Sequence, residues 1–132
     1  GKILRIKINP DATYSIPEGN LFKPGTPKTR PEIFVMGCRN PFRFSVDAKR
    51  NLVHWGDVGP DAGKDSVGRG PKGYDFIGQA GIGGGFFGWP YVRGNAHAYN
   101  DYDFTTKTSG PKFDPNHIVN NSPNNTGMDA GS

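Results

Sequence analysis

The chain has 132 residues with 16 basic and 12 acidic side chains, for a formal net charge of +4. That length suffices for one modest domain with its own core, but 20 Gly and 12 Pro, together roughly a quarter of the residues, exclude a helical one. Nine Phe, five Tyr and two Trp exclude a solvated coil, so the composition predicts a loop-rich, all-β protein with aromatics packed between short strands.

In chain order, "KILRIKIN" (residues 2 to 9) alternates Ile3, Ile6 and Ile8 with Lys2, Arg5 and Lys7, the period of a strand. Pro10-Asp11 makes a turn, and residues 12 to 31 read as an extended surface loop. "EIFVMG" (32 to 37) is a second strand. "FRFSVD" (42 to 47) and "NLVHWG" (51 to 56) pair as a hairpin around Ala48-Lys49-Arg50. The stretch "GPDAGKDSVGRGPKG" (59 to 73) is a loop without a strand, and long structureless loops in compact domains are usually functional. "YDFIGQA" (74 to 80) is a short strand. "GIGGGFFGWPYV" (81 to 92) sets glycines, which allow close backbone approach, against anchoring aromatics. From Arg93 onward periodicity is lost. That region reads as ordered loop built on Tyr99, Tyr102, Phe104 and Phe113, with weak strand character at 117 to 119.

The basic residues are spread out, with no Lys/Arg run longer than two, which argues against a nucleic-acid partner. The single cysteine, Cys38, excludes an internal disulfide framework and a Cys-based zinc site, and reads as a small buried hydrophobe. No apolar run approaches the ~18 residues of a membrane span. Both ends, at Gly1 and in "TGMDAGS", read as cuts in a longer polypeptide.

Two corners carry candidate chemistry. Arg39-Asn40, before the hairpin, offers a rigid fork of donors and an amide suited to an anion. Equally, Asn-Pro is a turn former and Arg39 a surface charge. Gly59-Pro60, after the hairpin, presents carbonyls of the kind that ligate Ca²⁺, though a tight turn is the commoner meaning of these residues. Asp61, Asp65 and Asp75 lie close enough in sequence to add carboxylates, without the EF-hand spacing. His54, His97 and His117 show no metal-ligand spacing, and His54 falls on the strand face opposite the core. "GIGGG" lacks the helix and the Lys-Ser/Thr pair of a phosphate loop. Asn120 and Asn124 stand in glycosylation-like patterns that arise often by chance.

The ordered set "GKILRIKINPD", "PEIFVMGCRNPFRFSVD", "WGDVGPDAG", "GPKGYDFIGQA", "FGWPYVRGN", "YDF" and "SPNNTG" resembles the glucose/sorbosone dehydrogenase family over residues 1 to about 127. The resemblance implies a six-bladed β-propeller with four-stranded antiparallel blades. At roughly 40–50 residues a blade, this chain would be a fragment of about two, with residues 1 to 132 in one propeller domain. It also implies an aldose substrate, pyrroloquinoline quinone and Ca²⁺ as cofactors, an external electron acceptor, and a periplasmic or extracellular location. By the same resemblance Arg39 and Asn40 would contact the quinone, Gly59 and Pro60 would hold the calcium, and Asp75 would reach it through water. The family's general-base histidine has no counterpart here. Its Asp-Glu-Ile-Asn segment becomes Asp75-Phe76-Ile77-Gly78. The alternative is a non-catalytic, carbohydrate-binding or scaffold propeller segment. A slice of two blades would also leave faces and edges uncovered, so the isolated chain is expected to self-associate or to be marginally stable.

Overall fold

The computed structural model describes residues 1–94 and 97–118. Strands, turns and irregular segments account for all of them, with no helix among the described residues. The strands form small, mostly antiparallel sheets that close no barrel, the arrangement expected of part of a propeller. None of these sheets exceeds three strands among the described residues, so a complete four-stranded blade is not seen. The sequence expectations on residues 119 to 132, including Asn120, Asn124 and "SPNNTG", lie outside the described residues.

The region around Leu4–Lys7 departs from the single strand its alternation suggests. β1 (Lys2–Leu4) ends where Arg5 turns its guanidinium to the Gly19 and Glu18 carbonyls, at 3.0 and 2.9 Å. The chain resumes as β2 (Lys7–Ile8), paired with β3 (Tyr14–Ser15) inside the stretch expected to be loop. Only Ile3 enters the core; Ile6 and Ile8 face solvent. Asn20 secures the long excursion by donating from Nδ2 to the Arg5 and Pro31 carbonyls.

β4 (Ile33–Met36) is the most deeply buried strand and lies between β1, antiparallel, and β8 (Gly85–Phe86), parallel. The antiparallel meander of β5 (Pro41–Asp47), β6 (Leu52–Asp57) and β7 (Phe76–Ala80) is inserted between those two strands in sequence. Its first turn is closed by Asp47, which accepts from the Arg50 backbone N–H and pairs with the Arg50 guanidinium at 2.8 Å. Asn51 takes the left-handed conformation, one that Asn tolerates, at φ 55°.

One face of the meander meets the β1–β4–β8 sheet. Ile3, Phe34, Val35, Cys38, Trp55 and Ala80 form the core, and Val53 and Phe87 pack against it. The Trp55 and Phe87 rings meet edge to face with centroids 4.7 Å apart. Gly78 lies directly across from Trp55, and a Cβ there would stand 2.2 Å from the indole. The Gly at this position, a departure from the family's Asn, is therefore required by packing. Cys38 is buried, as expected.

The region after Arg93 is more ordered into strands than its composition suggests. β9 (Val92–Arg93) pairs with β10 (His97–Ala98), and β11 (Asn100–Asp103) pairs with β12 (Thr108–Lys112). Polar side chains take over the role of alternating apolar ones. Asn100 Nδ2 donates to the Gly110 carbonyl at 2.9 Å, and Asp103 accepts from the backbone N–H groups of Thr105 and Thr106 to close the turn.

Candidate functional site

The two corners singled out in the sequence are brought together, and the residue that joins them is Asp57 at the end of β6. Trp55 points into the core, so the alternation carries Asp57 inward too. A charge so placed must be paired and hydrogen-bonded. Asp57 Oδ2 meets Arg93 Nη1 at 2.6 Å, with 6% and 4% of their side chains exposed. On its other side the same carboxylate accepts from the backbone N–H of Asn40 at 2.7 Å and of Arg39 at 3.3 Å. The Asn40 carbonyl in turn accepts from Val58 N–H at 2.9 Å. Arg93 further donates from Nη2 to the Asp57 and Tyr74 carbonyls, and its guanidinium lies 4.4 Å from the centre of the Phe76 ring. Phe76 stands where the family carries Glu, and it covers a guanidinium already neutralised by Asp57.

This corner sets the backbone of Arg39 and leaves its side chain lightly held. The guanidinium reaches the Val58 carbonyl at 3.4 Å and Asp61 at 3.5 Å, both long contacts. Asp61 is 96% exposed while the Arg39 side chain is 27% exposed. The Arg39 Cζ lies 6.0 Å from the centre of the Trp89 ring. Thus a mostly buried cation is fixed at its root and has donor capacity to spare. Asn40 contributes its backbone to the corner; its side chain makes no hydrogen bond within the described residues.

The Gly59-Pro60 corner is anchored from the other direction. Gly59 N–H donates to Asp75 Oδ1 at 2.9 Å. A Cβ on Gly59 would fall 2.0 Å from the Tyr74 carbonyl oxygen, so only glycine lets the chain pass. Hard oxygen donors are present here, but they are not equally free. The Pro60 carbonyl accepts from Ala62 N–H at 2.8 Å, and a Cβ on Gly73 would fall 1.6 Å from it, so that oxygen is closely packed within its own loop. The Gly59 carbonyl accepts no hydrogen bond among the described residues, and Asp75 keeps Oδ2 without a partner there. A cation at this corner fits Gly59 and Asp75 and fits Pro60 poorly. No cluster of three or more His, Cys, Asp or Glu side chains is positioned for a metal among the described residues. Asp65, also weighed from the sequence, accepts from Lys72 N–H at 2.8 Å and thereby closes its own loop.

Beside both corners lies a cleft of about 960 Å³. Pro60 and Trp89 border it on the corner side, and the β11–β12 hairpin borders it on the other. Trp89 and Tyr99 meet edge to face at 5.5 Å, and Tyr91 and Phe113 do so at 4.9 Å. Burial pushes the Tyr99 and Tyr91 phenols above their usual pKa, so both hydroxyls stay protonated at neutral pH. Among the histidines, His54 lies on the face away from Trp55 and bonds Gln79 at 3.0 Å, and His97 lies against Tyr74.

Sequence reasoning singled out Arg39, Asn40, Gly59, Pro60 and Asp75 as candidates and passed over Asp57, which the structure places against Arg39 and Asn40, and Arg93, which pairs with it. A signal for Asp57 existed: it occupies an inward position two residues after a core tryptophan. Nothing in the spacing indicated its partner, 36 residues on.

The fold and corner together define an all-β, partial-propeller protein with a poised guanidinium beside an aromatic cleft. Residues 1–130 match the glucose/sorbosone dehydrogenase family, and the chain belongs to it. The HIPL2 protein of Arabidopsis thaliana is 34% identical over 110 residues, which cover 70% of this chain and 14% of that protein. The chain thus spans a small part of that relative's length. No solved structure matches it. No helix among the described residues is long and apolar enough to cross a membrane.

Proposed function

We propose that this chain is a fragment of a propeller-type sugar dehydrogenase located in the periplasm or outside the cell. In this reading an aldose is oxidised with pyrroloquinoline quinone as cofactor, Ca²⁺ assists, and an external acceptor removes the electrons. The observation that carries the reading is the Arg39 guanidinium, mostly buried, rooted through Asp57, and held among the described residues by polar contacts no shorter than 3.4 Å. Such a group suits a carboxylate or a carbonyl oxygen that gains negative charge. The bound quinone would supply the redox chemistry. Arg39 would orient it and offset charge on its oxygen, and Asn40 would flank it. The Gly59 carbonyl and Asp75 would face the cation, with Pro60 the weakest of the proposed ligands.

Calorimetric titration of the full-length protein with pyrroloquinoline quinone tests this. One charge-assisted hydrogen bond contributes about 1.5–3 kcal/mol, so Arg39→Ala should weaken binding by roughly one to two orders of magnitude. Arg39→Lys should recover only part of it, because the ammonium lacks the planar fork. A chelator should lower the wild-type affinity. Unchanged affinity in Arg39→Ala sinks the assignment.

A second reading, a non-catalytic carbohydrate-binding segment, is favoured by the packing of the Pro60 carbonyl within its own loop. Absence of quinone binding by the wild-type protein, with sugar binding retained, selects it.

A further inference from the structure

The loop from Pro60 to Gly73 is built as a separate body with few ties to the rest of the chain. Its two ends cross at a neck. A Cβ on Gly59 would stand 2.0 Å from the Tyr74 carbonyl oxygen, and one on Gly73 would stand 1.6 Å from the Pro60 carbonyl oxygen. Above the neck the loop is bonded to itself. Gly73 N–H donates to the Ala62 carbonyl at 2.7 Å and Lys72 N–H to Asp65 Oδ1 at 2.8 Å. At the tip, Ser66 and Gly70 exchange backbone hydrogen bonds of 2.9 and 3.0 Å. A compact surface loop whose ends meet is an Ω-loop. None of its residues is buried, and Val67, its one large aliphatic side chain, is fully exposed. No buried side chain of its own anchors it, and segments without buried apolar contacts belong to the least stable parts of a fold.

Beyond the neck the loop is held in two places. At the tip, Ser109 Oγ donates to the Gly68 carbonyl at 2.6 Å and Asn100 N–H to the Arg69 carbonyl at 3.0 Å. The Arg69 guanidinium lies over two rings there, 4.0 Å from the centre of Tyr102 and 5.2 Å from that of Phe104. Gly70 passes over the Tyr99 ring, where a Cβ would stand 2.4 Å away. Nearer the neck, Asp61 reaches Arg39 at 3.5 Å with its carboxylate almost wholly in solvent. The loop lines the cleft from one side and the β11–β12 hairpin lines it from the other. The tip contacts therefore bridge the two walls, and a turn of the loop about its neck changes the opening between them. Both charged ties are of weak kinds, a cation over exposed rings and a long, exposed ion pair.

We infer that residues 60–73 are a gate on the cleft, an Ω-loop that swings as one body about its Gly59–Gly73 neck and is latched by Arg69 on the hairpin and by Asp61 on Arg39. An anion that takes the Arg39 guanidinium displaces Asp61 and removes one latch. By reciprocity, removing that latch strengthens anion binding at Arg39. The link to Arg39 rests on the function proposed above. The gate itself does not.

The test follows hydrogen exchange at single amides in the full-length protein without quinone. Asn100 N–H reports the latch, because its bond crosses from the hairpin to the loop, and Ser66 and Gly73 N–H report the loop's own bonding. Arg69→Ala should speed exchange at Asn100 by about two- to tenfold and leave Ser66 and Gly73 unchanged. Asp61→Ala should speed Asn100 by up to about fivefold, and calorimetry should show it binding pyrroloquinoline quinone more tightly by up to about the same factor. Both side chains are exposed, so neither variant should move the unfolding transition. Unchanged exchange at Asn100 in Arg69→Ala overturns the latch. Exchange at Ser66 and Gly73 that rises together with Asn100 overturns the gate, because the loop then unravels instead of turning. An Asp61→Ala variant that frees Asn100 without binding quinone more tightly overturns the link to Arg39 alone. Faster exchange at Asn100 in Arg69→Ala, in a protein that takes up no quinone, upholds the gate and overturns the cofactor reading.

Discussion

Phe44 and Trp55 are direct cross-strand partners on one face of one sheet, yet Trp55 is 2% exposed and Phe44 is 63% exposed. Val46 and Val53, the next pair along, repeat the contrast. The inner margin of the meander, toward β7, is covered by Ile3, Phe34, Cys38 and Phe87 and ends in the Asp57–Arg93 pair. At the outer margin the same apolar face continues onto β5, where Phe42, Phe44 and Val46 are exposed and no described residue covers them. An amphipathic strand is written for the surface it meets in the complete protein, so the uncovered half marks where this chain expects a neighbour.

Substitutions at the two margins should differ most in stability. Trp55→Ala should cost about 3–5 kcal/mol, whereas Phe44→Ala in this chain should stay within about 0.5 kcal/mol. Urea unfolding of both variants reads the difference, and equal costs would break the contrast. Repeating Phe44→Ala in the full-length protein sharpens it, because the cost should rise toward that of a core residue once the neighbour is present. Asp57→Ala belongs with the inner margin. It leaves the Arg93 charge buried and alone, a loss of about 3–5 kcal/mol, and it frees both Arg39 and Asn40 from their anchor.

Association comes next in size. The bare outer margin should make the 132-residue chain self-associate. Sedimentation velocity at increasing concentration should show growing mass in the wild type and less growth in a Phe44→Glu, Val46→Lys double variant. A monomer at every concentration would show that β5 needs no cover.

The smallest expected effect concerns Cys38. Burial, with the Asp57 charge adding to it, pushes its thiol from 9.0 up to about 11. The folded protein therefore holds this proton more tightly than the unfolded chain does. The stability so gained is complete below about pH 9 and is lost as the pH rises toward 11. Relative to Cys38→Ala, the wild type should lose stability over that window, and at pH 8 its thiol should resist alkylation until the chain is unfolded. Fast labelling in the native state would contradict the burial.

The strands around the hairpin were legible in the sequence because residues 42 to 57 alternate and are bracketed by Arg-Asn-Pro and Gly-Pro. β11 and β12 were not, because their pairing depends on Asn100 and on the Asp103 turn instead of on apolar alternation. The break after Leu4 was hidden for the opposite reason: the isoleucines kept the rhythm of a strand while Arg5 left the ladder for the Gly19 carbonyl. In the site, local corners could be read from residue type, and Gly59 proved indispensable. The ion pair that fixes the Asp57 carboxylate beneath them, with Arg93, is long-range in sequence and left no pattern to read. The same holds for the cleft, which needs residues from Pro60 to Phe113.

The parallel pairing of β8 beside β4 has a consequence for the order in which the chain folds. Val35 and Gly85 are partners 50 residues apart, whereas the β5–β6 turn joins Asp47 to Leu52, five apart. Closing a loop ten times longer costs about 2 kcal/mol more in chain entropy, so the meander has the advantage of forming first. Trp55 then waits on a half-built wall, since the β8 residues and Phe87 beyond them are the last of its enclosure to be synthesised. During translation the growing chain would carry that indole exposed until residue 87 leaves the ribosome. Interruptions of synthesis after Trp55 has emerged from the ribosome and before Phe87 has would therefore leave the nascent chain most prone to misassociation.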